Sequence, residues 1–216
     1  MENLLQKIDH TILSTTATWE EVKTLCEEGL QHKTASVCVP PRYVKKAAQL
    51  VGKDLKVCTV IGFPNGYSTP EVKIFETEDA VRSGADEIDM VANLGLVKSG
   101  DWEGVLTEIR EVKRSCGGRI LKVIIETDLL SQEEKIAMCR AVSMSGADFI
   151  KTSTGFVGGG ATVEDIALLK EHCSPEIRIK ASGGIDSVAK AKKLVEAGAH
   201  RLGSSKLVGL LTKGDN

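Results

Sequence analysis

Hydrophobic residues along this chain follow two alternating patterns. Short runs rich in Val and Ile, namely ASVCVP (35–40), LKVCTVIGF (55–63), ADEIDMV (85–91), RILKVIIET (119–127), ADFIKTS (147–153), EIRIKAS (176–182) and HRLGSS (200–205), have the length and composition of buried strands. Between them lie stretches with helical spacing: 18–29, 41–52, 69–84, 101–116, 131–146, 162–173 and 186–198. Several of these open on Thr, Asp or Ser, whose side chains accept from the free N–H groups of a first turn. Several close on Gly, which tolerates a left-handed cap. The junctions SGADEIDMV, SGADFIKTS and EAGAHRLGSS repeat one order of helix end, Gly, Ala, polar residue and strand, as expected of stacked βα units. With KIDHTIL (7–13) as a first strand and SKLVGLLT (205–212) as a short last helix, the count is eight βα units. Eight such units close into a (β/α)8, or TIM, barrel. An open doubly wound sheet also alternates strand and helix, but it usually carries a glycine fingerprint after its first strand, where HTILSTTA has none.

Composition fits one domain spanning 1–216: 216 residues, 42% hydrophobic, formal net charge -2. Interspersed charges give no basic face for nucleic acid and no polybasic stretch for an anionic membrane. No apolar run approaches the roughly 20 residues of a membrane span, and MENLLQKIDH lacks the charged start and apolar block of a signal peptide. A cytoplasmic location is expected. The six cysteines and four histidines are scattered without metal-ligand spacing, so reduced thiols are expected and no metal site is.

Alternation along each strand assigns side chains to the helix layer or the barrel interior. Ile177, Ile179, Ile88, Met90, Leu121, Val123, Ile125 and Ile150 must face the helices. Arg178, Lys180, Ser182, Glu87, Asp89, Lys122, Ile124, Glu126, Phe149, Lys151 and Ser153 then point inward. Charges therefore gather inside the barrel, most of them near the C-terminal strand ends where such barrels do chemistry. Buried ions are weak evidence for stability, because desolvation can exceed their attraction. A whole group of them needs a functional reason. Glu87, Glu126 and Arg178 are assigned to structure, and Lys122 to bracing Asp89.

Lys151 and Lys180 end consecutive parallel strands, about 4.8 Å apart. Two ammonium groups about 4 Å apart at an effective dielectric near 20 repel by roughly 4 kcal/mol. That is enough to bring one lysine from about 10.4 toward 7. One of the two is therefore expected as a neutral amine, a nucleophile that forms a Schiff base with a carbonyl. Asp89 could shuttle protons in the same cavity. The residues alone leave open which lysine attacks. Seventh and eighth strands end in ASGGIDS and LGSSK, loops that commonly hold a phosphate in this fold. Gly183, Gly184, Gly203, Ser204 and Ser205 suit that role, with Gly155 as a further donor. GFVGGG (155–160) follows the sixth strand, where a glycine cluster is weak support for a dinucleotide site. No cofactor is expected.

These motifs together resemble the class I, Schiff-base family of deoxyribose-phosphate aldolases, over essentially the whole chain from KIDHTIL to LGSS, most specifically in FIKTSTG and KASGG. The resemblance implies a TIM barrel that reversibly cleaves 2-deoxy-D-ribose 5-phosphate to D-glyceraldehyde 3-phosphate and acetaldehyde. It implies Lys151 as the Schiff-base lysine, Lys180 as its partner in proton transfer, and Asp89 as proton donor and acceptor. Asp9, Thr11 and Cys38 match substrate-pocket positions, and Thr152 and Lys122 are counted with them. A homodimer or homotetramer is implied too. Some members carry a lysine after the glycine of KTSTG, where Phe156 stands here, and some end in a tyrosine that reaches the active site, whereas this chain ends TKGDN. Phosphate binding should then rest more on backbone N–H groups, and proton transfer at the enamine should not rely on such a tail. Two alternatives fit the same residues: a sugar-phosphate isomerase or epimerase with Asp89 as base, and a non-catalytic phosphometabolite-binding barrel.

Overall fold

The computed structural model describes residues 2–212. Residues 213–216, on which the expectation about the C-terminal tail falls, lie outside them. Eight strands form one closed parallel barrel in sequence order: β1 (Ile8–Thr11), β2 (Ser36–Val39), β3 (Lys56–Ile61), β4 (Glu87–Val91), β5 (Ile120–Ile124), β6 (Phe149–Lys151), β7 (Arg178–Ser182) and β8 (Arg201–Ser204). The helices are α1 (Glu2–Leu5), α2 (Trp19–His32), α3 (Val44–Val51), α4 (Pro70–Arg82), α5 (Leu94–Ser99), α6 (Trp102–Ser115), α7 (Gln132–Ser145), α8 (Val163–His172), α9 (Val188–Ala197) and α10 (Leu207–Thr212). No helix among the described residues is long and apolar enough to cross a membrane.

Local sequence explains most boundaries. Thr18 and Ser131 each form a reciprocal capping box with the glutamate three residues on, Glu21 and Glu134. Asp101, Thr162 and Ser187 cap α6, α8 and α9 through their side chains. Each such cap is worth about 1 kcal/mol. Gly146 ends α7 in the left-handed region at φ 83°, where a side chain would be strained. Helices α1 and α5 are additions to the eight units read from the sequence. The α5 turn is short, with Asn93 Oδ1 accepting from the N–H groups of Gly95 and Leu96.

The hydrophobic core is divided by the barrel wall. Ile8, Val37, Val57, Ile88, Met90, Leu121, Val123, Ile125, Ile150, Ile179 and Leu202 lie in one large cluster with the helices, whereas Cys38, Cys58 and Val60 form a small separate one. This division follows the two-residue period of the strands and bears out the helix-facing assignments. The interior left to charged side chains is therefore narrow and polar.

The loops that follow β6 and β7 are locked together by glycine. Gly160, at φ 84°, packs so closely that a Cβ would lie 3.0 Å from Gly183 Cα and nearer still to its carbonyl. Ala161 N–H donates to Ser182 O and Gly183 O, both at 3.1 Å. Gly118 has the same φ of 84° with nothing within 4 Å. Gly118→Ala should therefore cost only the backbone strain, about 1–2 kcal/mol. Gly160→Ala should cost at least about 2 kcal/mol more and displace the loop that carries Gly183. Urea unfolding of the two variants measures the difference, and equal losses would mean that the loop contact contributes nothing.

Candidate active site

Strand register sets the chemistry. Asp89 on β4 is the neighbour of Lys122 on β5, and Lys151 on β6 is the neighbour of Lys180 on β7. Closure of the barrel brings the two pairs together around one carboxylate. Asp89 Oδ2 accepts from Lys151 Nζ at 2.8 Å and from Lys180 Nζ at 2.7 Å, while Oδ1 accepts from Lys122 Nζ at 2.8 Å. Cys58 Sγ–H completes its shell at 3.2 Å.

A second layer lies beneath. Asp9 Oδ2 is 2.5 Å from Lys180 Nζ, and its Oδ1 accepts from Ser36 Oγ at 2.7 Å and from Arg201 at 2.5 Å. Glu87 Oε2 is 2.6 Å from Lys122 Nζ and 3.2 Å from Arg201 Nη1. Phe149 forms the floor, with the Arg178 and Arg201 guanidinium carbons 4.2 and 5.6 Å from its ring centroid. Space for this layer comes from β8: a Cβ on Gly203 would stand 3.1 Å from Lys180 Cε and would collide with Ser182 Oγ.

The charges do not cancel. Lys122, Lys151, Lys180 and Arg201 face Asp9, Glu87 and Asp89, leaving one cation in excess. Burial alone would raise the Asp89 carboxyl, but Lys122, Lys151 and Lys180 hold it far below the usual carboxylate range. Burial alone would lower Lys180, but Asp89 and Asp9 hold it well above the ordinary lysine value. Lys122 is raised in the same way, with burial outweighed by Asp89, Cys58, Glu87 and Asp9. The repulsion between Lys151 and Lys180 expected from their spacing is therefore screened by the carboxylate between them. Lys180 is thereby held as an ammonium.

Above the cluster opens a cavity of about 360 Å³, lined by Thr11 to Ser14 and by residues from the ends of β6, β7 and β8. Lys151 is the one member of the charged cluster among the lining residues; Lys180, Lys122, Asp89 and Asp9 lie below it. Thr11, Gly155, Gly183, Gly184, Gly203, Ser204 and Ser205 all line the cavity. Cys38 and Thr152 do not: Cys38 packs with Cys58 and Val60 inside the barrel, and Thr152 Oγ1 donates to Ser182 O and accepts from Ser182 N–H, joining β6 to β7. Gly158, Gly159 and Gly160 serve the loop and not the cavity, with Gly159 N–H donating to Asp128 at 2.8 Å.

Two of the charges placed inside by alternation sit elsewhere. Arg178, the first residue of β7, is exposed at the barrel floor. Glu126 falls past the end of β5 at φ 52° and accepts from Thr154 N–H and Oγ1 at 2.9 and 2.6 Å. Burial raises its carboxyl despite those bonds. Conversely, Arg201, Ser36 and Cys58 are members of the cluster not identified from the sequence. For Arg201 the signal was present, since alternation in HRLGSS turns it inward with Gly203. Cys38, Cys58 and Asp89, and likewise Asp9, Cys58 and Glu87, bring three donor atoms within 4.8 Å of one another. Lys122 Nζ already bonds Cys58 Sγ at 3.3 Å as well as both Asp89 and Glu87, so a metal ion would have to displace an ammonium.

The depressed Asp9 and Asp89 carboxyls give a pH prediction. Burial opposes the ionised Asp9, but Lys180, Lys122 and Arg201 hold it below the usual range. A carboxyl lowered on folding contributes stability fully present above its unfolded value of about 3.9, and that contribution is lost as pH falls below it. Asp9→Asn should therefore unfold more easily at neutral pH and show a shallower loss of stability than the wild type between about pH 4 and pH 2. Parallel acid profiles in denaturant titrations would show that Asp9 is not held in this way.

Comparison with known proteins identifies the family. A family model described as DeoC/LacD family aldolase matches residues 3–212. The deoxyribose-phosphate aldolase of Clostridioides difficile strain 630 is 51% identical over 215 residues, covering 100% of this chain and 98% of its own. That of Streptococcus pyogenes serotype M2 is 52% identical over 208 residues, covering 96% and 93%. The deoxyribose phosphate aldolase of Aeropyrum pernix, described as having a unique tetrameric structure, superposes with a TM-score of 0.93 at 33% identity, covering 100% of this chain and 92% of that one. With a lysine cluster under an open cavity on a closed (β/α)8 barrel, and with a match of this extent, the chain belongs to the DeoC/LacD family of aldolases.

Proposed function

We propose that this chain reversibly cleaves 2-deoxy-D-ribose 5-phosphate to D-glyceraldehyde 3-phosphate and acetaldehyde, with Lys151 as the Schiff-base nucleophile. The observation that carries the assignment of the lysine is access: Lys151 lines the cavity, and Lys180 lies beneath it. The likeness to full-length relatives named deoxyribose-phosphate aldolase supports the substrate. An epimerase or a non-catalytic barrel has no comparable support.

Chemistry at the site follows from the charge arrangement. Lys151 gives a proton to solvent through the open cavity, its Nζ attacks the aldehyde carbon of the open-chain sugar, and Lys180 protonates the departing hydroxyl of the carbinolamine, so that water leaves and a protonated imine remains. That cation stands where the Lys151 ammonium stood, 2.8 Å from Asp89 Oδ2, so the carboxylate stabilises it without moving. Lys180, neutral after protonating the departing hydroxyl, then takes the C3 hydroxyl proton as the C2–C3 bond breaks. The C3 oxygen becomes the carbonyl of glyceraldehyde 3-phosphate, and the bonding electrons pass to the enamine. Protonation at C2 and hydrolysis release acetaldehyde and regenerate the amine. Asp89 is held too strongly as a carboxylate to store a proton, so we assign donation to Lys180, with Asp89 as the bridge between the two nitrogens. For assembly, we infer a homodimer or homotetramer, and the tetrameric relative supports the second.

Acetaldehyde followed by borohydride should leave a reduced ethyl adduct on Lys151, located by mass spectrometry, and Lys151→Leu should lose at least about a thousandfold in kcat. Lys180→Leu should cost about 10²–10⁴ in kcat and still trap at Lys151. An adduct on Lys180 in the wild type would reverse the assignment.

A further inference from the structure

Four residues at the ends of β6, β7 and β8 bring unpaired backbone N–H groups to the cavity lining. Gly155, Gly183, Gly184 and Ser205 line the cavity, and their N–H groups donate to no acceptor among the described residues. Ser182 Oγ, in a residue 4% exposed, also lines the cavity and has no hydrogen-bond partner. Unsatisfied buried polar groups are rare without a ligand or ordered water to complete them. Together they describe a polar ligand with several acceptor oxygens.

Backbone donors supply hydrogen bonds but no full charge. Ser204 cannot add its hydroxyl freely, because Oγ accepts from the N–H groups of Lys206 and Leu207 at 3.1 and 3.2 Å and donates to Ile185 O at 3.2 Å. Phe156, next to Gly155, forms an aromatic wall edge-on to Phe63, with centroids 5.2 Å apart at 86°. Helix α10 has only six residues, too few for its dipole to carry the argument. Asp186 on the rim opposes an anion. The lining contains two cations, Lys151 and Lys206, and Lys151 is committed to the carbonyl end. Lys190 stands behind the rim, where its Nζ donates to Gly184 O at 2.8 Å. By holding that carbonyl, it turns the N–H of the same trans peptide to the opposite side; that N–H belongs to Ile185, which also lines the cavity and donates to no acceptor among the described residues.

We propose that Lys206 supplies the charge by which this cavity selects a phosphate dianion over the corresponding alcohol, with Lys190 as a positioning residue for the donor loop. The proposal rests on the reading of the substrate as a phosphorylated sugar and adds the residue that discriminates for the phosphate. The turn between β8 and α10 fixes the backbone of Lys206 through Ser204. Its four-carbon stem is free to bring a point charge to phosphate oxygens already oriented by the N–H groups. A charge-assisted hydrogen bond at an exposed rim is worth about a tenfold change in affinity.

Lys206→Gln should raise KM for 2-deoxyribose 5-phosphate about tenfold with kcat within about twofold, and leave turnover of unphosphorylated 2-deoxyribose unchanged. Lys206→Arg should restore most of the affinity, because charge and not shape is used. Calorimetric binding of glycerol 3-phosphate should weaken about tenfold in the Gln variant, and the difference should shrink at high salt. Unchanged KM and unchanged glycerol 3-phosphate binding, or an equal loss for the phosphorylated and unphosphorylated sugars, would overturn the proposal. A wild type that binds glycerol 3-phosphate in a Lys206-dependent way, yet does not cleave the pentose phosphate, would refute the proposed reaction and leave this inference standing.

Discussion

One buried carboxylate shared by three ammonium groups governs this molecule. Asp89 is fully buried at the centre of the barrel and accepts from Lys122, Lys151 and Lys180. Isolated ions there would be prohibitively costly to desolvate. The barrel accommodates them by offering each cation a carboxylate and each carboxylate two or three cations. Removing Asp89 would leave three ammonium groups facing one another, so the same residue that organises the chemistry makes the interior tolerable. A hydrophobic filling would be the simpler way to stabilise a barrel of this size, and the outer cluster between strands and helices already supplies that cohesion.

The surplus cation links stability to catalysis. Lys122, Lys180 and Arg201 each meet at least two carboxylates, while Lys151 meets Asp89 alone and faces the cavity. In the proposed reaction the protonated imine on Lys151 places its charge beside Asp89, where the surrounding groups need not reorganise. A preorganised site of this kind is where electrostatics lowers a barrier most. The glycine loops after β6 and β7, whose unpaired peptide N–H groups belong to residues lining the same cavity, are held together by the contact between Gly160 and Gly183.

Much of this was legible in the sequence because barrel strands have a strict period. Alternation alone separated Ile88 and Met90 from Asp89, and Ile179 from Lys180, and the caps at Thr18 and Ser131 marked helix starts. The period gives direction but not depth, which is why Arg178 was placed inside when it closes the floor from outside. It also stops where a strand stops, and Glu126 lies beyond β5 in a left-handed turn. Contacts across the barrel were hidden for a different reason. Asp89 meets Lys180 across three strand steps, and Asp9 meets Lys180 and Arg201 through barrel closure, neither of which is set by neighbours in the chain. Without those carboxylates, two lysines on adjacent strands read as a repelling pair; with them, Lys180 becomes a fixed cation.

The most direct test of that conclusion is the protonation state of Lys180 itself. Nitrogen-15 NMR of the lysine Nζ groups, with the Lys180 resonance identified by its loss in Lys180→Arg, should show Lys180 as an ammonium throughout the range from about pH 6 to pH 9, since Asp89 and Asp9 hold it above the ordinary lysine value. A Lys180 signal that titrates to the neutral amine within that range would contradict the account, because the carboxylates would then not be governing the site.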